Sequence, residues 1–180
     1  MCIRDRILSA LAEHGVTGEL VRAVDHVISP GVEADMGGDD QWPTLREKVH
    51  AADILVLLTP TWMGQQSSVA QRVLERLDAE LSETDDAGRP ILFDKVALAG
   101  IVGNEDGAHH IAAILFQSLN DVGYSVPAQA SVYWNGEAMQ TVDYKDLDET
   151  PEKVAQATAT AARNAARLAG LLKADGYPAE

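Results

Sequence analysis

ADILVLLTPTWMGQQSS (Ala52 to Ser68) and KVALAGIVGNEDGAHH (Lys95 to His110) share one grammar: an apolar run of strand length, a polar loop containing glycine, then a helical pattern. The runs Asp53 to Thr59 and Val96 to Val102 are apolar without alternation, which predicts parallel strands covered on both faces, the first of them central. Ligands settle beyond the carboxyl ends of parallel strands, so the loops that follow these two runs are where a cofactor is expected.

Working outward, Val69, Val73, Leu77 and Leu81 recur every four residues, and Ser68 with Gln71 fits a capping box that starts that helix. Thr84 to Pro90 reads as a turn, and Ile111, Ile114, Leu115, Leu119 and Val122 form an amphipathic helix that Gly123 ends. Ser131 to Trp134 is the expected last strand. Thr150, Pro151 and Glu152 read as N-cap, first-turn proline and first-turn acid of a long alanine-rich helix. Toward the start, Ile7, Leu8 and Leu11 have helical spacing before Gly15, Glu19 to Val24 reads as a short strand, and Ile28 to Pro43 as a long loop. Thr44 to Ala51 suits a further helix. Strands alternating with helices imply right-handed crossovers and a doubly wound α/β parallel sheet.

The 180 residues, 46% of them hydrophobic, suit one domain rather than two. A net charge of -14 with no basic run opposes nucleic acid and anionic membrane surfaces. No stretch approaches the roughly 20 apolar residues of a membrane span. The single Cys2 cannot form an internal disulfide, and a reducing, cytoplasmic setting is expected. Adjacent His109 and His110 would point about 100° apart on a helix, so they lack the spacing of a zinc pair, and no metal is expected. MCIRDR, residues 1–6, has no apolar core of a signal peptide and is expected to be a non-native assembly scar, with residues 7–180 one domain truncated at its start.

TPTWMGQQSS after one strand and VGNEDGAHH after the next resemble the flavodoxin-like NAD(P)H-dependent FMN reductase family, over roughly Glu19 to the end. The resemblance implies a flavodoxin-like three-layer sandwich, bound FMN, and NAD(P)H as hydride donor. It also implies a small-molecule electron acceptor of flavin or quinone type and a homodimer or homotetramer. By the same resemblance, Thr59, Pro60, Thr61, Trp62, Met63, Gly64 and Ser67 form one ring-side loop, and Gly103, Asn104, Glu105 and Gly107 the other. An isoalloxazine ring needs a flat apolar contact and backbone donors along its polar edge. Pro60, Trp62 and Gly64 could supply rigidity, aromatic surface and close approach, and Asn104 the pyrimidine-edge contact.

Each assignment has a plainer competitor. A Trp after a strand is often a half-buried packing residue, Ser68 and Asp106 suit helix capping, and the aromatics of Tyr133 to Met139 suit rim packing better than substrate contact. The family's phosphate loop follows a first strand, and nothing ahead of Ile7 resembles it. The absence of that strand is expected to leave two apolar strands without a shared neighbour, giving instability or strand exchange between copies. Some relatives carry a cysteine cluster for an iron-sulfur centre in the long loop that corresponds to Ile28 to Pro43, where this chain places Pro30, Gly31 and Asp35 and no cysteine, so an iron-sulfur flavoprotein is not expected. A flavodoxin-type electron carrier, to which the acidity lends support, and a fragment that binds no flavin are the alternative functions.

Overall fold

The computed structural model describes residues 2–137 and 140–178. Its elements run α1 (Ile3–Ala12), α2 (Trp42–Ala51), β1 (Ile54–Trp62), β2 (Gln65–Gln66), α3 (Ser68–Leu77), β3 (Val96–Gly103), α4 (Ala108–Asp121), β4 (Ser131–Asn135) and α5 (Glu152–Ala174). The sheet has the order β2-β1-β3-β4. β1, β3 and β4 are parallel, with Ile54 opposite Val96 and Ala99 opposite Ser131. Their carboxyl ends therefore open on one side of the sheet, as the doubly wound reading requires.

Two cores flank the sheet and make it the middle of three layers. On one face Leu57, Ala97, Ala99 and Ile101 pack with Trp42 and Leu45 of α2, Val73 and Leu77 of α3, and Ile111, Leu115 and Leu119 of α4. On the other, Val96, Leu98 and Val132 pack with Ile3, Ile7 and Leu11 of α1 and with Val154, Ala161 and Ala165 of α5. Alanines along α5 let it lie close against the strands, while Ile3, inside the hexapeptide MCIRDR, is buried in helix α1.

Four expectations change. Glu19 to Val24 forms no strand: Ala23–Asp25 is a short 3-10 turn, and Glu19 is tied to Lys48 by an exposed ion pair. Backbone bonding is why, because no ladder reaches this segment and its Leu20, Val21 and Val24 stay exposed. β1, apolar on both faces, is central only in part: from Ile54 to Pro60 it pairs with β3 alone, and β2 touches only Thr61 and Trp62. The α3 cap is Ser67 rather than Ser68, with Ser67 Oγ accepting the Ala70 N–H at 3.2 Å. That helix ends at Leu77, leaving Leu81 on a 3-10 turn and exposed. At α5 the residue before the helix is Pro151, and Thr150 Oγ1 is buried without a partner.

Polar staples hold what the sheet does not. Arg76, fully buried on α3, pairs with Asp40 at 2.7 Å and donates to the carbonyls of Ser29, Glu33 and Ala34. Asp40 in turn accepts from the N–H groups of Ser29, Met36 and Trp42, so one ion pair organises the loop between Ile28 and Gln41. The Arg76 guanidinium holds the Asp40 carboxyl far below the usual carboxylate range. A second staple joins α2 to the turn after α3, where buried Glu80 accepts from Arg46 at 2.6 Å and lies 2.7 Å from His50 Nε2. Lys95 donates to the carbonyls of His50 and Ala52 at the end of α2.

Candidate functional site

The register that aligns Thr59 with Ile101 and Pro60 with Val102 carries both strands to the same level, so the two loops marked in the sequence emerge side by side. They touch. A Cβ placed on Gly107 would lie 2.8 Å from Gly64 Cα and 2.9 Å from Gly64 O, and one on Gly103 would lie 2.6 Å from Thr61 Cβ. Both contacts are open to glycine and closed to any larger residue. Gly107 also adopts φ +142° and serves as the N-cap of α4 in place of Asp106, whose carboxylate accepts the Gly107 N–H.

Within the first loop the residues divide by role. Thr59 and Ser67 are buried and spend their polar atoms on each other, Thr59 Oγ1 accepting the Ser67 N–H at 3.0 Å. They shape the turn. Thr61 is buried with an unpartnered Oγ1, and Pro60 is exposed one residue before it. Trp62 is 66% exposed and Met63 91% exposed, so Trp62 is no packing residue. The pair occupies the tip of a two-residue ladder in which Trp62 faces Gln65, and Met63 and Gly64 both take left-handed backbone, φ 54° and 73°. Two large apolar side chains thus stand out in water at the mouth of the parallel sheet.

From the second loop, Glu105 Oε1 accepts the Met63 N–H at 2.8 Å. Asn104 lies against the loop after β4, its Nδ2 donating to Gln140 O at 3.4 Å while Gly136 N donates to Gly103 O at 2.8 Å. A cavity of about 370 Å³ opens there, lined by Trp134, Asn135, Gly136, Glu137, Gln140 and Val142. Of the aromatics expected to pack on the rim, Trp134 stacks edge-on against Tyr144 at 5.6 Å, and Tyr133 lies 2.9 Å from His109 Nε2 through its hydroxyl. Ala138 and Met139 fall outside the described residues.

Two features had no sequence signal. His110 Nε2 lies 3.1 Å from Gln65 Oε1, tying the Trp62–Gln66 hairpin to α4, and the Glu105 contact to Met63 spans 42 positions. Neither site loop contains Lys or Arg, so these loops offer aromatic, amide and backbone contacts but no cationic partner for a phosphate. For a flavin ring the residues fit. Its phosphate needs donors from elsewhere.

A family model described as NADPH-dependent FMN reductase matches residues 3–138. The chain is 36% identical over 143 residues to the 8-demethyl-8-aminoriboflavin-5'-phosphate synthase of Streptomyces davaonensis, covering 74% of this chain and 56% of that protein. It is 41% identical over 146 residues to a Mycobacterium bovis protein named divalent metal cation transporter MntH, covering 79% of this chain and 21% of that one. The chain thus spans about half of one curated relative and about a fifth of the other, and among its described residues no helix is long and apolar enough to cross a membrane. The crystal structure of RosB with bound 8-demethyl-8-formylriboflavin-5'-phosphate is similar at TM-score 0.87 and 31% identity, over 97% of this chain and 73% of that chain. A flavodoxin from the domain Archaea matches in fold alone, at TM-score 0.59 and 8% identity over 93% of this chain and 88% of that one.

Proposed function

The chain belongs to the NADPH-dependent FMN reductase family, and from that premise we propose that the mouth formed by its two touching loops holds the isoalloxazine ring of FMN. Trp62 and Met63 give the flat apolar contact, Gly64, Gly103 and Gly107 bring backbone close, and Asn104 offers an amide to the polar edge. Thr59 and Ser67 act one step back by fixing the turn. Bound FMN would supply hydride acceptance from NAD(P)H and electron delivery to a small flavin or quinone acceptor. The chain's own work is to bind, orient and partly shield that ring, which explains why no nucleophile and base pair is needed. A cytoplasmic setting rests on the single cysteine, and a homodimeric or homotetrameric state on the family resemblance.

The observation that carries this reading is the exposed Trp62–Met63 tip beside glycines that tolerate no side chain. Titration of FMN fluorescence with the purified chain tests it: saturable quenching, weakened in Trp62→Ala, is expected. No quenching at protein concentrations up to hundreds of micromolar overturns it. Oxidation of NADPH by the loaded protein, without an added reductase, separates a reductase from an electron carrier. A second reading, a flavin as substrate rather than resident cofactor, draws support from the solved relative that carries a riboflavin-phosphate intermediate. A flavin product altered at its ring and detected by mass spectrometry after turnover would favour it.

A further inference from the structure

Met63 presents a physical puzzle. It is a non-glycine residue in left-handed backbone, followed by a second left-handed residue, with a side chain almost wholly in water. Left-handed backbone at an unbranched residue is sparsely populated and persists where surrounding contacts impose it. The two-residue turn between the paired Trp62 and Gln65 asks for left-handed backbone at both Met63 and Gly64, so the local restraint comes from the hairpin. A contact from the second loop then fixes that turn in place, the Met63 N–H donating to Glu105 Oε1 at 2.8 Å. This is a charge-assisted bond, stronger than a bond between neutral groups.

We propose that Glu105 is a positioning residue: its carboxylate latches the Met63 N–H and fixes the Trp62–Met63 tip as the platform for a flat aromatic ligand. The sequence resemblance placed Glu105 among ligand contacts; the hydrogen bond gives it a different task. Its neighbours agree. His110 and Gln65 tie the other strand of the same hairpin to α4 at 3.1 Å, and the contact of Gly107 with Gly64 sets the spacing between the loops. The tip is held at three points, and Glu105 is the one that acts on the residue beside Trp62. Freed from it, the turn keeps its shape but loses its tie to the second loop and Trp62 loses its fixed direction, so a ligand must order the tip on binding.

The inference rests on the flavin reading, and the experiment separates the two. Amide hydrogen exchange at Met63 is measured in the ligand-free chain, and FMN affinity by fluorescence quenching, for the wild type, Glu105→Ala and Glu105→Gln. Glutamine keeps an oxygen acceptor at the same reach, so it should restore what alanine loses. Glu105→Ala is expected to speed Met63 exchange and weaken FMN binding, each by roughly tenfold, with Glu105→Gln staying within about threefold of wild type in both. Weaker FMN binding with unchanged Met63 exchange would overturn the latch and make Glu105 a direct contact. Faster exchange with unchanged affinity would overturn the positioning role. If the wild type binds no FMN, the flavin reading fails and the platform role with it, whatever the Met63 amide does. Thermal unfolding of all three proteins checks that the fold is intact.

Discussion

β1 and β3 are neighbouring apolar strands in very different surroundings. Each is an unbroken apolar run that ends in a site loop. β3 is paired on both sides, and Val96, Ala97, Leu98, Ala99 and Ile101 are all 1% exposed or less. β1 has β3 alone beside it from Ile54 to Pro60, and Ile54, Leu55, Val56 and Leu58 stay half-buried. An apolar pattern on both faces therefore reports helices above and below a strand; it does not report partners on both edges. Core burial holds β3; the layer that Leu57 of β1 shares with it also takes in Ile28, at the start of the loop that the Arg76–Asp40 pair fastens.

Arg76→Ala should produce the largest effect, about 4 kcal/mol lost in urea unfolding, because it leaves the Asp40 carboxylate buried without its partner. pH sharpens the same point. Asp40 is depressed in the folded state, so its stabilisation is complete above the ordinary carboxylate pKa of about 3.9 and is lost as pH falls from there toward the folded value. Hydrogen exchange below pH 4 should therefore speed first in the loop from Ile28 to Gln41 and last in β3. Simultaneous loss in both would break the contrast.

Next in size is a matched pair. Leu98→Ala empties a fully buried site and should cost about 3 kcal/mol, against about 1 kcal/mol for half-buried Leu55→Ala. Equal costs would mean that the open edge of β1 is covered in solution. Gly107→Ala follows, at about 2 kcal/mol from backbone strain and collision with Gly64, together with at least roughly tenfold weaker FMN binding.

How much of this could be read from the sequence depends on how far the responsible interaction reaches. The strands Ile54–Trp62 and Val96–Gly103, the helices after them and the glycine loops follow from local periodicity and turn chemistry, and each appears within a few residues of its expected place. Glu19 to Val24 has the composition of a strand, but a strand needs a ladder, which composition does not supply. Ser67 and Ser68 are both good caps, and the choice falls to Ser67, whose N–H bonds Thr59 eight positions earlier. Which loop residues are buried and which exposed was equally hidden. Thr59 and Ser67 share the loop with Trp62 in the sequence, and their burial and mutual bond set them apart from its exposed indole.

Trp62→Ala should have the smallest effect on the fold and a large one on binding, and it probes the contrast at its top end. At 66% exposure the indole contributes little to the core, so unfolding free energy should stay within about 0.5 kcal/mol of wild type. A stacked aromatic contact is worth about 1 kcal/mol beyond its buried area, so FMN affinity should fall by roughly tenfold once that area is included. Denaturant curves and FMN titrations on the same preparation check both halves. A loss of stability equal to that of Leu98→Ala would show that Trp62 packs against the protein in solution, in which case β1 ends in a buried corner and the exposed platform does not exist. An unchanged fold with weakened binding would show that β1, the less buried of the two strands, is left open at its end for a ligand to complete.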